Sequence, residues 1–316
     1  MSLVVRPPLS AATRLCAVYG HPVRHSASPA MQNAGMKALG LDWRYVACEV
    51  QPEALGTALA GGAAMRFVGV NLTVPHKLMA MEMMDVLDVS ARTWGAVNTV
   101  RFEGRIQGGS WEPLSVMAPE SVVEVRRHGF NTDADAVVRA LREDLGVELR
   151  GARVLLLGAG GAGRVTALRC AAEGVAALWL VNRTEDKAHA LAREMAALDG
   201  SKVTRLEVGY PEGKAEVDVV INATSAGLKP GDPLPYDPLC WEPGRARAAY
   251  DLIYRPAETA FLAAAKAAGA RTSNGLGMLL YQGAAALEIW SGQAAPVAEM
   301  RRALWSQVYG ESESGQ

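Results

Sequence analysis

Short runs of consecutive apolar residues, broken by glycine or proline, alternate along the chain with stretches in which apolar positions recur every three or four residues. Residues 15–19 read as a short buried strand stopped by Gly20 and Pro22. Ser28 before Pro29 predicts a helix start, with the serine as N-cap and the proline in the first helical position, and Gly40 ends that helix. Residues 45–50, 67–72 and 97–102 read as further strands, with a helix over 52–59 between the first two. From residue 153 the rhythm is stricter. RVLLL at 153–157 is a continuous apolar run before glycines; 163–173 is helical with Gly174 as its stop. A second strand covers 178–181, a charged amphipathic helix 185–197, and later strands 217–221 and 248–253. Continuous apolar strands between helices predict a parallel sheet covered on both faces. Helices over 278–290 and 298–309 close the chain, and the tail 311–316 is expected to fray. Residues 103–128 stand apart, with two prolines, three glycines and no sustained period. A stretch of that length reads as a functional flap or a disordered insertion, peripheral to any chemistry.

The 316 residues suggest about two domains. Half of them are hydrophobic and 21% charged, which excludes a disordered chain, and 32 glycines with few aromatics lean towards α/β rather than all-β. Lys and Arg total 32 against 33 Asp and Glu, with no basic stripe for nucleic acid and no polybasic run for a membrane surface. Selectivity for an anionic substrate must then be local. No apolar run reaches the ~18 residues of a membrane span. Pro7 and Pro8 interrupt the start, so no signal peptide is expected. Cys16, Cys48, Cys170 and Cys240 are far apart and not at metal-ligand spacing. They read as reduced thiols of a cytoplasmic protein, and no metal site is expected.

Gly158-Ala159-Gly160-Gly161-Ala162-Gly163 follows RVLLL directly and satisfies G-x-G-x-x-G. Alone the motif is weak; a strand before it and a helix after it supply the context it requires. Gly158 permits the tight turn, Gly160 lets backbone approach a pyrophosphate, Gly163 lets helix pack on strand, and the helix N-terminus offers N–H groups to phosphates. A ligand-free glycine turn is the plainer reading, and the flanking elements weigh against it. The next strand ends Val181-Asn182-Arg183-Thr184 with no carboxylate to grip a ribose 2′-hydroxyl. Arg183, aided by Lys187, can hold a 2′-phosphate, so the cofactor expected is NADP; Asn182 and Thr184 can hydrogen-bond either dinucleotide.

Four further polar clusters need an explanation. Ser26 and Ser28 flank a helix N-terminus, a good anion cradle, although capping by Ser28 alone leaves only Ser26 unassigned. Thr73 and Lys77 follow a buried strand; Lys77 is a candidate acid/base, against the commoner reading as a surface lysine. Asn98 sets an amide at a strand start, and Asp133 a carboxylate at a helix start, where alone it reads as an N-cap.

Together the stretches SASP, GVNLTVPHK, GAVNT, GFNTD, GAGGAG, NRT, NATSAG, DLIY and NGLGMLLYQGA, in this order from Gly20 to about Gly292, resemble the shikimate dehydrogenase family. The resemblance implies an enzyme that reduces 3-dehydroshikimate to shikimate with NADPH, in the pathway to chorismate and the aromatic amino acids. It implies that Ser26, Ser28 and Tyr254 hold the substrate carboxylate. Thr73, Lys77, Asn98, Asp133 and Gln282 would contact ring hydroxyls, with Lys77 and Asp133 as the catalytic pair. Thr224, Ala226, Gly275 and Met278 would lie near the nicotinamide. The expected fold is two α/β domains with a cleft between them. Residues 1–131, completed by the helices of 273–316, form a substrate domain, and 132–272 a doubly wound Rossmann-type NADP domain. The chain departs from the family at Gln32, usually histidine, at Ala134, usually glycine, and in the length of 103–128, which could affect closure or assembly. Quinate or an amino-analogue of shikimate is the nearest alternative substrate. A silent NADP-binding regulator is the alternative of another class, disfavoured by retention of both Lys77 and Asp133. The partners expected are small molecules, with no nucleic acid or membrane, for a monomer or homodimer.

Overall fold

In a computed structural model the first apolar run forms β1 (Arg14–Gly20), and α1 (Ser28–Ala38) carries the chain to β2 (Trp43–Glu49). The structure describes residues 9–197, 202–213 and 215–310; the fraying expected of the 311–316 tail lies outside them. Ser28 is not the cap of α1. Ala27 occupies that position without a side-chain bond, Ser28 is the first helical residue, and Pro29 follows where no N–H is needed. Gly40, in the left-handed region, lies just past the helix end. A 3₁₀ turn at Pro52–Ala54 precedes α2 (Leu55–Ala64), so the helix expected over 52–59 starts later and runs further. Arg66 then takes a positive φ and Phe67 donates to the Gly62 carbonyl, so the next strand starts only at Gly69. The chain continues through β3 (Gly69–Leu72), α3 (His76–Met79), β4 (Val86–Leu87), α4 (Val89–Trp94), β5 (Thr99–Arg105), β6 (Glu112–Pro113) and β7 (Glu124–Phe130).

These strands form one mixed sheet in the order β2-β1-β3-β5-β7-β4, with β6 beside β5. β1 is parallel to β2 and β3; β5 is antiparallel to β3 and β7. Ala17, Tyr19, Leu55, Leu59, Val70, Leu72 and Phe102 share the core beneath it. The segment 103–128 is therefore neither a flap nor an insertion without structure. β5 and β7 pair continuously from Thr99 opposite Phe130 to Arg105 opposite Glu124, and Leu114 and Val122 of the connection are buried in the core. Polar pairing hid this hairpin from periodicity. Glu103, buried, accepts from Arg126 Nε at 2.6 Å, Arg101 Nε at 3.1 Å and His128 Nδ1 at 2.9 Å. Burial pushes its carboxyl up, but the bonds from His128, Arg101 and Arg126 outweigh this and hold it at about 2. Trp111 lies beside the guanidinium groups of Arg105 and Arg126, at 4.8 and 4.6 Å.

The second compact unit covers Asp133–Leu279, and the first takes Met1–Thr132 with Leu280–Gln316. It contains α5 (Asp133–Leu145), β8 (Arg153–Leu157), α6 (Gly161–Glu173), β9 (Ala177–Val181), α7 (Glu185–Ala197), β10 (Arg205–Val208), β11 (Val219–Asn222), β12 (Ala248–Asp251), α8 (Ala260–Ala267) and β13 (Arg271–Asn274). Its sheet is wholly parallel in the order β10-β9-β8-β11-β12-β13, the doubly wound arrangement whose strand order reverses between β8 and β11. Leu155, Leu157, Trp179, Val220 and Phe261 belong to its core. The return to the first unit comes later than residue 273, because β13 pairs with β12 and completes this sheet. α9 (Leu276–Ser291) then enters the first unit. There Trp290 Nε1 donates to the Val100 carbonyl at 3.0 Å, over Gly69, where a Cβ would strike the indole. α10 (Val297–Tyr309) packs along α1. Among the described residues, no helix is long and apolar enough to cross a membrane.

Candidate active site

Strand direction gathers the polar clusters of the first unit. β1, β3 and β7 run one way and β5 the other, so the ends of the first three and the start of β5 meet at one sheet edge. Ser26 and Ser28 follow β1, Thr73 and Lys77 follow β3, Asn98 precedes β5, and Thr132 and Asp133 follow β7. Thr73 N–H donates to the Tyr19 carbonyl at 2.9 Å and His21 N–H to that of Val74 at 3.0 Å, which ties the first two loops together. A Cβ at Gly20 would strike the Thr73 methyl, so this approach requires glycine. The Ser26 hydroxyl accepts from Ser28 N–H at 3.3 Å, and the Ser28 hydroxyl bonds nothing among the described residues.

Lys77 is half-buried on the single turn of α3, and its carbonyl accepts from Val97 N–H at 2.9 Å. The residue before it is an anchor that sequence reasoning missed. His76 is fully buried, with Nε2 2.9 Å from the Val50 carbonyl. A carbonyl only accepts, so Nε2 carries the proton. Burial lowers the pKa of His76, against the raising effect of the Val50 bond, and favours the neutral ring.

Behind the loops runs a buried polar network. Tyr45 donates to Asn71 Oδ1 at 2.8 Å; Asn71 Nδ2 reaches Thr99 Oγ1 at 3.0 Å and the Asn98 carbonyl at 3.2 Å. Thr99 Oγ1 lies 3.1 Å from Asn98 Oδ1, Thr132 N–H donates to the same oxygen at 2.8 Å, and Asn98 Nδ2 donates to Thr132 Oγ1 at 2.9 Å. The Thr132 hydroxyl donates to the Gln282 carbonyl on α9 at 3.0 Å. One residue along, the Gly283 carbonyl accepts from Gln32 Nε2 at 2.8 Å. Gln32 thus holds α1 against the turn of α9 that carries Gln282. The only sequence signal for this network is Asn71, a polar residue inside an otherwise apolar strand.

The second unit holds the glycine turn. Gly158 has φ +108°, and its N–H donates to the Val181 carbonyl at 2.7 Å. A Cβ on Gly163 would run into the Gly158 carbonyl oxygen, which is the close helix–strand packing the motif implies. Around Gly160 a Cβ would meet nothing within 4 Å. The helix begins at Gly161 rather than 163, so the N–H groups of Gly161, Ala162 and Gly163 precede any helical acceptor. Ala159 N–H is not available in the same way: it donates to Asn182 Oδ1 at 2.9 Å, and Asn182 Nδ2 donates to the Thr184 carbonyl at 2.8 Å. Arg183 and Lys187 are exposed, and among the described residues neither side chain has an acidic partner. An open cradle, unpaired first-turn donors and two unbalanced cations fit a phosphorylated dinucleotide.

At the end of β11, Thr224 Oγ1 donates to Asn222 Oδ1 at 2.7 Å and accepts from Ala226 N–H at 3.0 Å, which fixes the turn beside Gly158. Gly275 lies against the Leu252 carbonyl, where a Cβ would collide, and Met278 N–H reaches the Tyr250 hydroxyl at 3.3 Å. Tyr254 follows β12 in this unit, and burial raises its phenol pKa. Among the described residues, no group of three or more His, Cys, Asp or Glu could hold a metal ion.

Three family descriptions match the chain: shikimate dehydrogenase substrate binding domain over residues 18–100, shikimate/quinate 5-dehydrogenase over 140–229, and shikimate 5′-dehydrogenase C-terminal domain over 275–304. The shikimate dehydrogenase (NADP(+)) of Methanopyrus kandleri is 39% identical over 300 residues, covering 94% of this chain and 96% of its own. That of Moorella thermoacetica is 40% identical over 311 residues, 97% of each. The crystal structure of shikimate 5-dehydrogenase from Thermus thermophilus, in complex with NADP(H) and shikimate, superposes with a TM-score of 0.76 at 36% identity, covering 93% of this chain and 99% of that one. With this sequence likeness along nearly its whole length, the chain belongs to the shikimate dehydrogenase family.

Proposed function

We propose that the chain catalyses the reversible, NADPH-dependent reduction of 3-dehydroshikimate to shikimate, with Lys77 and Asp133 as its proton-transfer pair. The observation that carries this reading is the single sheet edge that collects Ser26, Ser28, Thr73, Lys77 and Asn98 and leads directly into Asp133. Ser26 and Ser28, with Tyr254, hold the substrate carboxylate; the uncommitted Ser28 hydroxyl supports that role. Thr73, Asn98 and Gln282 orient the ring through its oxygens. The turn from Gly158 to Gly163, with Arg183, Lys187, Thr184, Thr224, Ala226, Gly275 and Met278, holds the dinucleotide, and NADPH bound there supplies hydride to the keto carbon.

The chain's own task is the proton. Hydride addition turns the carbonyl oxygen into an alkoxide, which must be protonated at once. A lysine ammonium aimed at that oxygen polarises the carbonyl beforehand and delivers the proton afterwards. Asp133, at the start of α5, is the partner of Lys77 in that transfer. His76, locked on the Val50 carbonyl, limits the freedom of the turn that carries Lys77. The reading carries a cytoplasmic setting, which four free cysteines suit, and a small-molecule enzyme acting as a monomer or homodimer. The test is the absorbance of reduced nicotinamide with shikimate, quinate or neither, and NADP⁺ or NAD⁺. Reduction of NADP⁺ by shikimate ahead of quinate is expected; none with shikimate refutes the assignment.

A further inference from the structure

The buried network behind Asn98 has a direction that can be read atom by atom. Thr132 N–H can only donate, so the Asn98 atom facing it at 2.8 Å is Oδ1. The Asn98 backbone carbonyl can only accept, so the Asn71 atom facing it is Nδ2. The Gln282 carbonyl takes the Thr132 hydroxyl proton, which leaves that oxygen to accept from Asn98 Nδ2. Thr99 Oγ1 accepts from Asn71 Nδ2, and its proton goes to Asn98 Oδ1. The side-chain protons therefore run one way, from Tyr45 through Asn71, Thr99, Asn98 and Thr132 to the Gln282 carbonyl, while the Thr132 backbone N–H donates back to Asn98 Oδ1. Asn98 Oδ1 is saturated by Thr132 N–H and the Thr99 hydroxyl, while Nδ2 has spent one of its two hydrogens.

We propose that Thr99 is a positioning residue that locks the Asn98 amide so that its one remaining bond is an N–H donor. This rests on the reading that Asn98 meets a ring substituent of the substrate. The lock then makes Asn98 a specificity residue. It accepts a hydroxyl, carbonyl or alkoxide oxygen at that position and leaves an ammonium substituent, which has no lone pair, facing a donor. Cyclic polyols and keto-polyols are selected over their amino-analogues.

The test compares Thr99→Val, which is nearly isosteric and lacks the hydroxyl, with Thr99→Ser, which keeps it. The Asn98 side-chain amide pair is identified in ¹⁵N NMR spectra by its loss in Asn98→Asp. In wild type and Thr99→Ser it is expected as two sharp, slowly exchanging signals; in Thr99→Val it broadens or shifts. In the same proteins Thr99→Val raises KM for shikimate about tenfold, the worth of one buried hydrogen bond, with a far smaller change in kcat and none in KM for NADP⁺. Thr99→Ser restores the wild-type KM. Tyr45→Phe, at the far end, gives a weaker shift of the same kind if Thr99→Val fails to fold. Unchanged Asn98 signals in folded Thr99→Val, or equal KM increases for both substrates, overturn the lock. Wild type that does not turn over shikimate refutes the proposed function instead, and the NMR comparison still decides the lock.

Discussion

Replacing Glu103 by glutamine removes the one negative charge shared by Arg101, Arg126 and His128 while keeping shape and an acceptor oxygen. The carboxyl is held at about 2, against an ordinary 4.5. That difference corresponds to about 3 kcal/mol in favour of the ionised folded state. Because the folded value is depressed, this stability is fully present above the unfolded pKa and is lost as pH falls through the folded one. At pH 3 about 1.4 kcal/mol remains, and below pH 2 almost none. Native-state hydrogen exchange, read by mass spectrometry on peptides from β5 and β7, isolates the hairpin from the second unit. Wild type minus Glu103→Gln is expected to differ by about 3 kcal/mol in opening free energy at pH 7 and by less than half of that at pH 3. A difference that is negligible at pH 7, or constant between the two pH values, would refute the account.

Lys77→Ala should lower turnover about 10²–10⁴-fold with a much smaller effect on shikimate binding by calorimetry; near-normal turnover would make Lys77 a ligand contact only. Arg183→Ala should raise KM for NADP⁺ about ten- to a hundredfold and leave NAD⁺ use little changed, while equal losses for both would reassign Arg183 to adenine stacking. Leu114→Ala, in the segment between the hairpin strands, should cost about 2–5 kcal/mol by denaturant unfolding of the first unit, whereas a peripheral flap would show no loss. Gly163→Ala, whose methyl would strike the Gly158 carbonyl, should weaken NADPH binding in fluorescence titration before any effect on shikimate binding.

The doubly wound unit is the more legible half. RVLLL forms β8 over the same residues, and α7 covers 185–197 as its charge pattern implies, because buried parallel strands are apolar on both faces and surface helices are not. β13 escapes because its sequence, RTSN, is polar and lies at the sheet edge. β7 escapes for a different reason: its Arg126 and His128 turn inward to a buried carboxylate, so charge stands where an apolar residue would mark the strand. At the site, the motif residues are visible one by one, but their supports are not. His76, Asn71 and Gln32 act through partners that lie between 26 and 251 positions away, and no local period records such pairs; Thr99 stands next to Asn98, but only the fold shows its hydroxyl turned to that amide. The strand-tip pattern marks Asn182 as a cofactor contact, yet its oxygen is engaged by the Ala159 N–H.

That bond has a consequence for how cofactor preference can change in this lineage. A residue at 182 chosen to suit a different ribose would also alter the support of the loop beneath the pyrophosphate, so one substitution would disturb two recognition tasks. Asn182→Asp can still accept from Ala159 and can grip an unphosphorylated ribose, but it sets a charge against a 2′-phosphate and gives up the bond that Nδ2 donates to the Thr184 carbonyl. Arg183 and Lys187 carry no such obligation, since their side chains hold no other element in place among the described residues. Adaptation between the two dinucleotides therefore has a free path through the exposed cations and a constrained one through the bonded amide, and selection for a new cofactor is expected to take the first.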